Sequence, residues 1–159
     1  MANPFPFTAG QVLTAAQMNG IGEASTNYTP TWGSSGVAPV LGNGTITGKY
    51  QQVNKLVFVQ IFLSIGSTTV VGTGNYTFTL PITGIASPGN GPMISTCLYY
   101  DASANAAYNM QAAFNNTTTT MRSFVFANAS QTFAVFSATS PVIPASTDEI
   151  SLTFIYQAA

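Results

Sequence analysis

Residues 57, 59, 61, 63 and 65 are Val, Val, Ile, Leu and Ile, while 56, 58, 60, 62 and 64 are Leu, Phe, Gln, Phe and Ser. A repeat of two puts successive side chains on opposite faces of a strand. The first set is apolar throughout and reads as core. The second is too apolar for water and too polar for another deep core. Leu56, Phe58, Gln60 and Phe62 are therefore candidate residues of a subunit interface.

The same period recurs along the chain. Residues 44–53 form the partner strand, with Ile46 and Tyr50 on one face and Val53-Asn54-Lys55 as the tight turn. Asn54 stands where Gly is the usual turn residue, and Asn tolerates positive φ. Further alternating runs cover 75–80, 93–100, 106–114, 121–127, 131–137 and 149–157. Within 102–113 the Ala content and Met110 compete for a helix, but Asn105 and Asn109 disfavour one. About eight strands with short polar connections and no helical period between them predict an all-β chain. The expected form is an antiparallel β-sandwich of jelly-roll type over 45–159. Residues 28–44, broken by Pro30, Pro39 and repeated Gly, read as an irregular connector, with Trp32 anchoring it on the core.

The start of the chain differs. Thr14-Ala15-Ala16-Gln17 fits a capping box, Leu13 and Met18 fit a hydrophobic staple, and Gly20 is a stop. A helix of so few residues is marginal by itself, so residues 1–27 are expected to dock on something else.

Composition narrows the chemistry. Only 4% of the 159 residues are charged, against about 25% in soluble domains. A free monomer so poor in charge tends to associate, and a surface covered by copies of itself or by a larger particle is the sharper reading. The three cations, Lys49, Lys55 and Arg122, make no phosphate-binding patch, so nucleic acid is not an expected partner. No signal peptide is read, and the longest apolar run is too short for a membrane helix. The chain contains no His, which excludes Ser–His–Asp and Cys–His catalysis and His-based metal sites. The carboxylates are Glu23, Asp101, Asp148 and Glu149. Asp148 and Glu149, as neighbours, point to opposite faces and are expected to cap a loop. Asp101 and Asp148 could meet in space. The expectation is no enzyme, no metal and no cofactor. Cys97, the only cysteine, is expected to pack as a small apolar group.

One block, residues 28–81, carries a resemblance. It runs from Trp32 through G-N-G-T (42–45), G-K-Y (48–50), the apolar strand 57–65, G-S-T-T (66–69) and a Gly turn (72–74) to Leu80-Pro81. This ordered series resembles a module of tail fibre and minor tail proteins of tailed bacteriophages. The opening FTAGQVLTAAQMN is similar to the N-terminal segments by which such proteins join the virion. The resemblance implies a virion anchor at Phe5, Phe7, Val12, Leu13, Thr14, Gln17 and Met18. It also implies a homotrimer assembled in the host cytoplasm, with other virion proteins as partners. A β domain contacting the host surface, through glycan, is the expected role. Tyr99, Tyr100, Tyr108, Asn115 and Asn116 are the glycan-contact candidates. A capsid decoration or head-fibre protein is the alternative, and a glycan depolymerase a minor one.

Overall fold

The computed structural model describes residues 10, 12, 14, 15, 24–85, 94–114, 119–126 and 133–159. Every described element is a strand: β1 (Thr26–Tyr28), β2 (Trp32–Ser34), β3 (Thr45–Val53), β4 (Leu56–Ser64), β5 (Tyr76–Thr79), β6 (Ile94–Asp101), β7 (Ala106–Phe114), β8 (Thr120–Phe126), β9 (Phe133–Val135) and β10 (Glu149–Gln157). Of the expected N-terminal helix only Thr14 and Ala15 are among the described residues; the rest lies outside them. The 102–113 ambiguity resolves as β7, entered through a turn in which Asn105 takes φ +50°.

All the strand pairs are antiparallel and belong to one sheet, in the order β1-β3-β4-β10-β6-β7-β8-β5-β2, with β9 also on β8. This differs from the two separately bonded sheets of the sandwich expectation. The sheet must curl. Laid flat, nine strands would place β1 and β2 roughly 38 Å apart. Yet residues 29–31 alone join them, and the step from Tyr28 to Trp32 spans at most about 14 Å. The chain therefore ties the two edges of the sheet toward each other, and the result is a curled half-barrel.

The concave face holds the core. Val57, Val59, Ile61 and Leu63 of β4 are buried opposite Tyr156, Phe154, Leu152 and Ile150 of β10. Aromatic rings cross the interior: Trp32 to Tyr76 at 5.0 Å, Tyr76 to Phe136 at 5.1 Å, and Phe136 to Tyr99 at 5.5 Å between centroids. Such edge-on and tilted pairs are the favoured ring geometries. Trp32 is thus a core anchor, as expected, but the segment around it is part of the sheet. Within 28–44, expected as an irregular connector, lies β2, a ladder strand on β5; β1, which pairs with β3, spans 26–28. Three residues are too few to display an alternation. Gly48 makes room for β1, since a Cβ there would sit 2.4 Å from the Tyr28 ring.

The spaced glycine motifs meet at one end of the sheet. Asn43 Oδ1 accepts from the Thr68 amide and hydroxyl, both at 2.9 Å, and Asn43 Nδ2 donates to Ser67 Oγ at 3.1 Å. The Asn43 amide in turn donates to Thr68 Oγ1 at 2.9 Å. A Cβ on Gly66 would fall 2.2 Å from Asn43 Oδ1, so the clasp requires glycine there. Gly42, at φ +59°, faces the Thr68 carbonyl across the same clasp. G-N-G-T and G-S-T-T are thus the two halves of one interlock.

Candidate functional site

The convex side of β3, β4, β10 and β6 forms a broad face that no described strand covers. The ladders place its side chains in rows. Gln51, Phe58, Ile155 and Ile94 form one row, and Thr47, Phe62, Ser151 and Leu98 another. Lys49, Gln60, Thr153 and Thr96 lie between them. Burial along β4 alternates strictly, with Leu56, Phe58, Gln60 and Phe62 outward. Phe58 and Phe62 are each 41% exposed, and Ile94 is 75% exposed. Val53 and Leu56, paired across the β3–β4 turn, extend the apolar area, and Asn54 makes that turn at φ +55°. Two shallow depressions flank Gln60, both bordered by Lys49 and Thr153; Phe58 borders one and Phe62 the other. Apolar groups in a continuous surface of this extent mark a contact site more often than chance exposure does.

The other candidates scatter. Tyr99 is fully buried on the concave face, so its assignment as a glycan contact is corrected: it is a core residue. Its position inside follows from the pairing Tyr99↔Ile150, which fixes the parity of β6. Tyr108 is half-buried beside it, with ring centroids 5.9 Å apart. Tyr100 points the other way, its hydroxyl donating to Asn105 Oδ1 at 2.9 Å. Asn115 and Asn116 lie outside the described residues. So do Phe5, Phe7, Leu13, Gln17 and Met18 of the anchor; Val12 and Thr14 are exposed.

Asp101 and Asp148 do share one corner. Asp148, 1% exposed, accepts from Ala102 N at 3.0 Å through Oδ1, and from the Tyr99 hydroxyl and Ala145 N through Oδ2. Asp101 Oδ1 accepts from Ala104 N at 3.0 Å and Ser103 Oγ at 2.8 Å. Those two bonds hold the Asp101 carboxyl below its usual range. Glu149 is exposed on the opposite face. The geometry is that of loop caps, as the sequence suggested for Asp148. Cys97 packs in the core, its Sγ 3.8 Å from the Thr153 carbonyl, and burial pushes its thiol up to about 11. Among the described residues, no group of three or more Cys, Asp or Glu side chains gathers as metal ligands do. Among those residues, too, no helix is long and apolar enough to cross a membrane.

Comparison with protein-family models, with curated proteins and with solved structures finds no match to this chain.

Proposed function

We propose that this chain is a structural protein of a bacteriophage virion, of the tail fibre or minor tail type, that works as a homo-oligomer. The observation that carries the reading is the uncovered face centred on Phe58 and Phe62. It is built on the same β3–β4 hairpin that holds the motif series of the resemblance. A chain with 4% charged residues and such a face is suited to an assembly rather than to life as a free monomer.

In this reading residues 1–22 join the chain to other virion proteins. The curled sheet serves as the sandwich-like module, its walls facing each other across one core. The resembled family points to three copies. Host-surface contact, glycan included, falls to the end carrying Tyr100, the described glycan candidate that points away from the core, with Asn105 as its hydrogen-bond partner. No catalytic step is assigned, because Asp101 Oδ1 and both Asp148 oxygens are already engaged by backbone and hydroxyl donors.

A cryo-EM map of the intact particle with the chain located in it tests this reading. Density at the tail tip or baseplate, sheet domain outward, is the expected result. Density on the capsid shell would make it a decoration protein instead, and absence from the particle would refute the virion role.

A further inference from the structure

On a symmetry axis every side chain meets its own copies, so only groups compatible with themselves can stand there. The outward positions of β4 are Leu56, Phe58, Gln60, Phe62 and Ser64, and none is charged. A charge appears on either side: Lys49 on β3, opposite Gln60, and Glu149 on β10, opposite Ser64. The two depressions of the face also lie along β4, one between Phe58 and Gln60 and the other between Gln60 and Phe62. Gln60 shares a polar row with Lys49, Thr153 and Thr96. The row on one side holds Phe58, Ile155 and Ile94, and the row on the other holds Phe62 and Leu98.

The face also has a direction. β1 runs against β3 with Thr26 opposite Tyr50 and Tyr28 opposite Gly48, so the chain enters β1 from the end where Leu56 lies. Tyr100 is level with Glu149 and Ser64, at the other end.

We propose that this face packs against two further copies of the chain about a three-fold axis that runs along β4, parallel to it, and passes between the three Gln60 side chains. Such an axis keeps each residue at its own height. The rows of Phe58 and Phe62 then meet themselves, and so does the polar row. An amide both donates and accepts, so three Gln60 side chains can bond head to tail in a ring, with Phe58 and Phe62 in layers on either side. A polar group in such a place fixes register, because a slip along the axis would strand the amides among phenyl rings. Curvature favours three copies over two. Two convex faces set against each other touch along a line. Three bodies about an axis each fill a wedge whose flanks face about 60° apart. Nine strands curled through about half a circle bend by roughly 20° a strand, so the outward direction turns by about 65° from β3 to β6. The flanks of neighbouring copies thus lie flat on each other. Four strands about 19 Å across and about 30 Å long give each copy about 600 Å² of footprint before side-chain relief is counted, against roughly 800 Å² per partner in a standard interface.

The arrangement rests on the three-copy reading above and adds its axis and direction. The three anchor segments join at one end, and the three Tyr100 side chains stand at the other.

The test uses the full chain, with mass measured by analytical ultracentrifugation. Wild type is expected to be a trimer. Gln60→Cys, treated with a short three-armed maleimide, should rise about threefold in mass on a denaturing gel, because a residue at a three-fold axis meets both its mates. Thr96→Cys, in the same row but two strands and about 10 Å to the side, should stay at the mass of one chain. Wild-type chain, with Cys97 buried, is the control. Phe62→Cys, one outward position along the same axis, replaces Gln60→Cys if that variant fails to assemble, and should join in the same way. A wild-type trimer in which the β4 cysteine joins no better than Thr96→Cys overturns the axis and leaves the three-copy reading standing. A wild-type assembly of another copy number that Phe58→Glu splits overturns the axis and the three copies but keeps the face as an interface. A wild-type monomer overturns all of them.

Discussion

The hydroxyl of Tyr99, on β6, donates to Oδ2 of Asp148, 49 residues further along the chain. This one bond ties the middle of the sequence to the entry of its last strand. Asp148 holds the Ala102 and Ala145 amides at the same time. Tyr99→Phe removes a single donor and is expected to cost about 1–2 kcal/mol. Asp148→Ala strips the acceptor from three buried or half-buried donors and should cost more, about 3 kcal/mol or above. Urea denaturation of both variants checks the order; equal costs would mean the amide bonds contribute nothing.

The Asn43 clasp gives a second expectation. Asn43→Ala should cost about 1–2 kcal/mol, the loss being moderated by exposure. Gly66→Ala should cost at least as much, because the added carbon falls on Asn43 Oδ1. Hydrogen exchange should quicken at the Asn43 and Thr68 amides in both variants, with the β4–β10 ladder unaffected.

Alkaline pH should unfold the protein cooperatively. Burial raises the hydroxyls of Tyr28, Tyr76 and Tyr99 well above their ordinary value of 10, and that of Tyr156 to about 12. The hydrogen bond to Asp148 adds to the rise at Tyr99. A raised folded value means the unfolded chain loses its proton first. The stabilisation is therefore complete below about pH 10 and declines as pH climbs from there. Cys97, raised from 9.0 to about 11, adds to the decline from about pH 9. Denaturant melts from pH 8 to 12, followed with tyrosinate absorbance in a chain carrying Phe at Tyr50, Tyr100 and Tyr108, should show protons released with unfolding rather than before it. Tyrosinate from the remaining four appearing while the fold is intact would contradict their burial.

Phe58→Glu and Phe62→Glu place charge on the convex face and away from the core. Both are expected to split the oligomer while changing monomer stability by about 0.5 kcal/mol or less. Light scattering reports the mass and circular dichroism the fold. Variants that keep the wild-type mass would remove the interface assignment.

Much of the sheet was legible because long strands display their period. Residues 57–65 announced both faces of β4, and 149–157 marked β10 by its alternation, of which the structure turns Ile150, Leu152, Phe154 and Tyr156 inward. The hairpin turn at Asn54 followed from its tolerance of positive φ. What the chain hid was short or non-local. β1 and β2 are three residues each, and their membership of the sheet depends on β3 and β5. Tyr99 looked available as an aromatic beside Tyr100, yet parity is fixed by Ile150 on β10, far away in sequence. The clasp was visible only as two glycine motifs, since nothing local says that Asn43 reaches Thr68.

The last described strand in sequence is a central one in space: β10 lies between β4 and β6. During synthesis the hairpins β3–β4 and β6–β7 can close early, because their contacts are local. They cannot join until residues 149–157 have left the ribosome. The growing chain then carries two exposed ladder edges, at β4 and β6, open to any neighbouring strand of like character. Premature termination just before Glu149 would leave not a trimmed domain but two half-sheets with adhesive borders. Quality control of this protein is in effect concentrated in the codons for residues 149–157.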